Sequence, residues 1–246
     1  SSALAKPPSA VVRDDDIDEP AAAAAPRQPL ERSVEELYSR KTPLEHVLLR
    51  PGMYVGPNER LPPITCWVLD PLPSPDNNTE RVPFRMVRKE YGLVPALIKI
   101  FDEILVNASD NRLRHPKSCT RIDVVIDPGN EQEGRAPFIS VLNDGKGIPV
   151  QMHRKEQLYV PEMLFGHLLT GSNFDDNERR VTGGRHGYGA KLTNIFSKRF
   201  TVETVDSRKH KMYRQTWHDN MSISTSPEIT AVEEGISDYT RISFVP

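Results

Sequence analysis

The run Phe101-Asp-Glu-Ile-Leu-Val-Asn-Ala-Ser-Asp-Asn111 constrains the fold more than any other stretch. An α-helix turns about 100° per residue. Glu103, Asn107, Asp110 and Asn111 fall at i, i+4, i+7 and i+8, so they share one side of a helix expected from about Val94 to Arg114 and halted before Pro116. Val94, Leu97, Ile98, Phe101, Ile104, Leu105 and Ala108 fall on the other side, the expected core face. Two acids and two amides on one face suit a magnesium-nucleotide site. An amide oxygen is a hard ligand that Mg²⁺ accepts, and a fixed carboxylate can activate a water. The plain alternative is a solvated face of an amphipathic helix.

Two glycine segments add weight. Asn143-Asp-Gly-Lys-Gly-Ile-Pro149 leaves an expected strand and turns at once. Gly145 and Gly147 permit positive φ or close approach of backbone to a ligand, and an Asn or Asp side chain at the strand end can pair with an exocyclic amine such as that of adenine. An ordinary strand-end turn is the alternative, because Asp-Gly is a common turn pair. Gly183-Gly-Arg-His-Gly-Tyr-Gly-Ala-Lys191 then leads into an expected helix from about Tyr188 to Ser197. Free N–H groups on such a backbone favour phosphate, and Lys191 can act on a terminal phosphate as a point charge. The segment is neither a Walker A loop nor GxGxxG, since Leu192 stands where a third glycine would be. A flexible linker is the competing reading.

The remaining signals set the frame. Thr42-Pro-Leu-Glu45 is a capping box with proline at the first helical position, and its helix ends before Pro51-Gly52. Residues 61–88 read as a β-hairpin or irregular insertion, with a loop from Pro71 to Asn78. Strands are expected at 121–127, 138–142, 199–205, 210–217 and 239–245, and a short helix at 161–170. Residues 171–183 read as a mobile polar loop. Residues 1–32, rich in Ser, Ala, Pro and Asp, read as a disordered tail. The expected architecture is α/β, an α+β sandwich with helices on one face of a mixed, largely antiparallel sheet.

Composition excludes little. No run of about 18 apolar residues marks a membrane span, so no membrane partner is expected. Cys66 and Cys119 form no CxxC pair, which fits a reducing compartment. The formal charge of −2 gives no overall basic field for DNA. The first residue is not Met and the chain stops just after a strand-like run, so a fragment of a longer protein is expected.

Together these stretches resemble the N-terminal ATPase domain of eukaryotic type II DNA topoisomerases. That family belongs to the gyrase, heat-shock chaperone, histidine kinase and MutL (GHKL) superfamily, with its Bergerat ATPase fold. The resemblance rests on Thr42 to Gly56, Phe101 to Asn111, Asn143 to Pro149, Leu168 to Asp175, and Val181 to Phe196, in that order over about residues 33–246. It implies three parts: a tail at 1–32, a strap and first helix at 33–60, and the ATPase domain at 61–246.

The resemblance also implies roles. Glu103 would be the general base that orients water toward the γ-phosphate, and Asn107 would coordinate Mg²⁺ and touch the phosphates of ATP. Asp110 and Asn111 would shape the pocket beside them. Asn143 would face adenine, and Gly147 would line the base pocket. Ser172 and Asn173 would bind ribose or phosphate. Gly184, Arg185, His186, Gly187, Tyr188, Gly189, Ala190 and Lys191 would wrap the triphosphate, and Tyr38 resembles a strap tyrosine that reaches a partner's nucleotide. His186 departs from the usual Asn and matches bacterial gyrases, Gly171 replaces a common Ser, and residues 71–80 are longer and richer in proline than usual. The family's transducer with its switch lysine, its DNA-gate tyrosine and its cleavage domain are not in this sequence.

By resemblance, the whole protein is an ATP-dependent topoisomerase that passes one duplex through a break in another. It would be a nuclear homodimer closed through this gate, or an organellar copy, with double-stranded DNA held mainly by other domains. Two rivals stand beside that reading. One is a nucleotide-gated dimerisation module without turnover; the other is an ATPase of the chaperone or mismatch-repair branch.

Overall fold

In the computed structural model, Thr42 caps α1 (Pro43–Leu49). Its hydroxyl accepts from Glu45 N at 3.2 Å, and Glu45 Oε2 accepts from Thr42 N at 2.7 Å. This is the reciprocal pairing expected from the sequence. The structure describes Tyr38, residues 40–71, 84–168, Thr170 and residues 187–246. The chain divides into two units after Arg40, and the second, residues 41–246, is compact. Within the second, α1 buries Val47 in the core.

The strands are β1 (Ile64–Pro71), β2 (Phe84–Tyr91), β3 (Ile122–Asp127), β4 (Phe138–Asp144), β5 (Arg199–Asp206), β6 (Lys211–His218), β7 (Ile223–Ser224), β8 (Glu228–Ala231) and β9 (Tyr239–Val245). β1 and β2 form a separate two-stranded hairpin, with Trp67, Leu69, Phe84 and Met86 exposed. The main sheet runs β3-β4-β9-β5-β6-β7, with β8 also paired to β6. Every strand pairing among the described residues is antiparallel.

Alternation decides which face is covered. Phe200, Val202, Tyr213, Trp217, Ile242, Phe244, Ile139 and Val141 point into one core. That face is covered by α2 (Pro95–Arg114), α3 (Val160–Gly166) and α4 (Gly189–Ile195). The other face carries Arg199, Thr201, Arg214, Thr216, Arg241 and Ser243 around an open groove. α3 and α4 are each shorter than their expected spans, 161–170 and 188–197. α4 is nevertheless central, because Ala190 through Ile195 are all buried.

The orientation of α2 keeps Ile104 and Ala108 of the expected core face and corrects the rest of its first turns. Its buried seam is Ala96, Ile100, Ile104 and Ala108, one residue in four. Leu97 and Ile98, expected inside, are 38% and 48% exposed. The polar row Lys99, Glu103, Asn107 and Asn111 runs beside the buried seam rather than opposite it, and Asp110 is only 4% exposed. The helix therefore turns its polar row toward the interior, against α4 and the end of β4.

Candidate functional site

Three elements meet at this polar row. α2 supplies Glu103, Asn107, Asp110 and Asn111. Asn111 Nδ2 donates to Lys146 O at 3.2 Å, joining α2 to the turn after β4. Thr193 Oγ1 of α4 donates to Ile100 O at 2.9 Å, joining α4 to α2. Where α4 begins, the fit is close: a Cβ on Gly189 would lie 1.9 Å from Glu103 Oε2. The other carboxylate oxygen, Oε1, pairs with Lys99 one turn back. Glu103 is thus held between a lysine and a bare stretch of backbone. Lys99 was absent from the sequence expectations, although its i,i+4 spacing to Glu103 could have revealed it.

The far end of the cleft is built on the sheet. Asn143 lies near the end of β4, is 7% exposed, and donates from Nδ2 to Asp144 O at 2.9 Å. The neighbouring carboxylate is committed elsewhere. Asp144 accepts from Thr120 N, Thr120 Oγ1 and Arg121 N at 2.7, 2.8 and 2.8 Å. Burial pushes Asp144 up, but these hydrogen bonds outweigh it and hold the carboxyl below the usual carboxylate range. Of the two strand-end side chains, Asn143 is therefore the one free to meet a base.

Thr240 of β9 pairs in register with Asn143, and Thr204 pairs with Thr240. The two hydroxyls are 2.9 Å apart, and Thr204 Oγ1 also accepts from Ile148 N at 3.1 Å. These threonines belong to no motif; only the sheet register brings them to Asn143.

The two glycines of the turn have different causes. Gly145 has φ +91°, which a side chain rarely adopts. Gly147 does not, but a Cβ there would lie 1.9 Å from Val205 O. Here glycine is required by the close approach to β5. Ile148 N on Thr204 and Val150 N on Asp206 Oδ2, at 3.1 Å each, stitch residues 148–150 along the end of β5, and Gly147 N donates to Asp238 Oδ2 just before β9 at 3.3 Å.

Of the glycine-rich segment, Gly187, Tyr188, Gly189, Ala190 and Lys191 are described, and Gly187 has φ +65°. Lys191 is 1% exposed. Its ammonium donates to Thr170 O at 2.5 Å and to Gly187 O. Burial pushes its pKa down to about 8. To reach a phosphate, it must exchange these carbonyls for phosphate oxygens. Ser172, Asn173, Gly184, Arg185 and His186 lie outside the described residues. Tyr38 is exposed and belongs to the other unit.

The donor set fits a magnesium-nucleotide. Asn107 offers a hard amide oxygen, half-buried and one turn from Glu103. No group of three or more His, Cys, Asp or Glu able to hold a metal is found among the described residues. An ion here would lean on one amide, phosphate oxygens and water, the mode Mg²⁺ favours.

Residues 96–227, just over half the chain, match the family model of histidine kinase-, DNA gyrase B- and HSP90-like ATPases. The chain is 47% identical over 215 residues to a DNA topoisomerase 2 of Candida glabrata, covering 87% of this chain and 14% of that protein. It is 46% identical to a mitochondrial DNA topoisomerase 2 of Dictyostelium discoideum, over 87% of this chain and 18% of that protein. The crystal structure of the ATPase and transducer domains of DNA topoisomerase II from Balamuthia mandrillaris superposes with a TM-score of 0.72 at 51% identity, over 87% of this chain and 51% of that one. The chain thus spans about one seventh of the Candida relative and about half of the Balamuthia chain.

Proposed function

This chain belongs to the family of histidine kinase-, DNA gyrase B- and HSP90-like ATPases, and we propose that it is the ATP-operated gate of a type II DNA topoisomerase. Identity near 50% to topoisomerase ATPase regions along 87% of the chain favours that branch over the chaperone and mismatch-repair branches. One observation carries the catalytic reading. Glu103 is fixed by Lys99 and by the backbone of Gly189, with Asn107 one turn further on the same row.

In this reading adenine sits at Asn143 beside Thr204 and Thr240. The triphosphate runs toward the backbone of Gly187 to Ala190, with Lys191 giving up a carbonyl to reach it. Asn107 would hold Mg²⁺, which would supply charge neutralisation at the phosphates. Glu103 orients the attacking water and accepts its proton. Little covalent work falls to the protein, so positioning and charge stabilisation dominate.

Binding would draw two copies together as a homodimer, with Tyr38 reaching the partner's nucleotide, and hydrolysis would release them. The whole protein would then pass one DNA duplex through another, held mainly by domains beyond this chain. Its residence would be the nucleus, or an organelle as for the Dictyostelium relative. No described helix is long and apolar enough to cross a membrane.

The test is Glu103→Gln in the complete enzyme. Turnover is expected to fall by about 10²–10⁴ with binding of a non-hydrolysable ATP analogue retained. Turnover at the wild-type rate would remove Glu103 from the role.

A further inference from the structure

β3 forms one edge of the main sheet. Among the described residues it pairs with β4 alone, so its other side is free. That free side runs the six residues Ile122–Asp127 and holds no Lys or Pro, the residues that most often blunt an edge. Val124, Val125 and Ile126 are 41%, 50% and 64% exposed. Val124 and Ile126 stand opposite Val141 and Ile139 of the core. They therefore lie on the helix-covered face of the sheet, at a margin that leaves them in water.

Alternation decides which backbone groups point outward. Asp144 N donates to Arg121 O at 3.2 Å, so this pair bonds across the ladder. Asp123, Val125 and Asp127 follow it and bond toward β4. The far strands agree. Asp219 N donates to Lys198 O at 3.1 Å and Thr225 N to Thr216 O at 2.9 Å, and the same alternation carried back through β5, β9 and β4 returns the same set. Ile122, Val124 and Ile126 thus turn their N–H and C=O groups to the free edge.

We propose that this edge pairs with β3 of a second copy of the chain, antiparallel about a twofold axis at Val124. The axis sets Val124 against Val124 and Ile122 against Ile126. All of these residues carry outward N–H and C=O groups, so the three pairs close about six hydrogen bonds. Charge selects the same register. Arg121 of each copy stands opposite Asp127 of the other, whereas an axis at residue 123 or 125 would set Asp123 against Asp123 or against Asp127. Val124 and Ile126 of the two copies meet on the helix side and cover one another. A contact of this kind uses the same patch on both copies, so it closes as a dimer and builds no fibre. β3 supplies no side chain to the nucleotide cleft, so the pairing needs no ATP and is separate from the gate.

The test is sedimentation velocity of the full chain without nucleotide, from micromolar to submillimolar concentration. A dimer fraction that rises with concentration is expected. Val124→Pro removes only an outward N–H, so β4 keeps its ladder and the melt should match wild type. The two hydrogen bonds lost per dimer should lower the association constant by more than about tenfold. Ile223→Lys in β7, at the opposite end of the sheet, should leave association unchanged. Cross-linking under mild oxidant, with Cys66 replaced by Ser, reads the register. Val124→Cys should cross-link, since paired Cα atoms there lie about 5.5 Å apart, within disulfide reach. Ile126→Cys should not, because its own mate lies about 14 Å away along the strand. A wild-type chain that stays monomeric would leave the edge to another partner and overturn the proposal. So would undiminished association in folded Val124→Pro, or equal cross-linking at 126.

Discussion

Gly189→Ala separates the geometry of the proposed base from the chemistry of the glycine segment. A Cβ at this position would stand 1.9 Å from Glu103 Oε2. Non-bonded carbon and oxygen settle above about 3 Å, so the carboxylate must retreat by about 1 Å and loosen from Lys99. A misplacement of about 1 Å at a reacting group costs roughly 10²-fold in rate, or about 2.7 kcal/mol of barrier.

Stability should move little. The Lys99–Glu103 pair is a part-exposed i,i+4 contact worth about 0.3–0.5 kcal/mol, and alanine in place of glycine at a helix start returns a similar amount. The melting temperature should therefore stay within about 2–4 °C. The assay is steady-state ATP hydrolysis by the complete enzyme, with analogue binding in parallel. The double variant with Glu103→Gln should be no slower than the slower single variant, because both act through one carboxylate. Wild-type turnover in Gly189→Ala, or fully additive losses in the double variant, would refute the reasoning. So would loss of analogue binding, which would mean that the new methyl obstructs phosphate instead.

Other outcomes follow from the same structure. Gly147→Ala places Cβ 1.9 Å from the Val205 carbonyl oxygen, which is backbone and cannot swing aside; a loss of about 2–3 kcal/mol, read as a melting temperature lower by roughly 5–10 °C, is expected. Thr42→Ala removes the capping hydroxyl and should cost about 1 kcal/mol in denaturant titration. Lys191 has its pKa lowered from 10.5 to about 8 by burial, so the unfolded chain binds the extra proton between these values. Stability should rise with pH from about 8 toward 10.5 through this group, and the rise should be missing when Lys191→Met is compared across the same range.

The sequence was most legible where the signal is local. The capping box of α1, the proline that halts α2 and the β-branched strands each depend on a few neighbours, and each appears within a residue or two of its expected place. The inner face of α2 was misread in its first turns, because apolar periodicity ranks Leu97 and Ile98 as core, whereas Ala96 and Ile100 are the buried residues and Ile100 O accepts from Thr193 of α4. Small residues let α4 approach closely, and hydrophobicity alone does not score them. Thr204 and Thr240 were missed because their meeting with Asn143 is a matter of register between strands about 60 to 100 residues apart. Gly147 was read as allowing positive φ or the close approach of a ligand; its close approach to the Val205 carbonyl of β5 is a tertiary contact that no local signal announces. β7 and β8, two and four residues long, are too short for alternation to stand out.

The central claim is a magnesium-nucleotide site on the polar row of α2. Calorimetric titration of this chain with a non-hydrolysable ATP analogue, with and without Mg²⁺ and beside Asn107→Ala, tests it most directly. The account predicts magnesium-dependent binding that Asn107→Ala abolishes while the variant melts like the wild type. Binding by folded wild-type chain that ignores both magnesium and the substitution would contradict it.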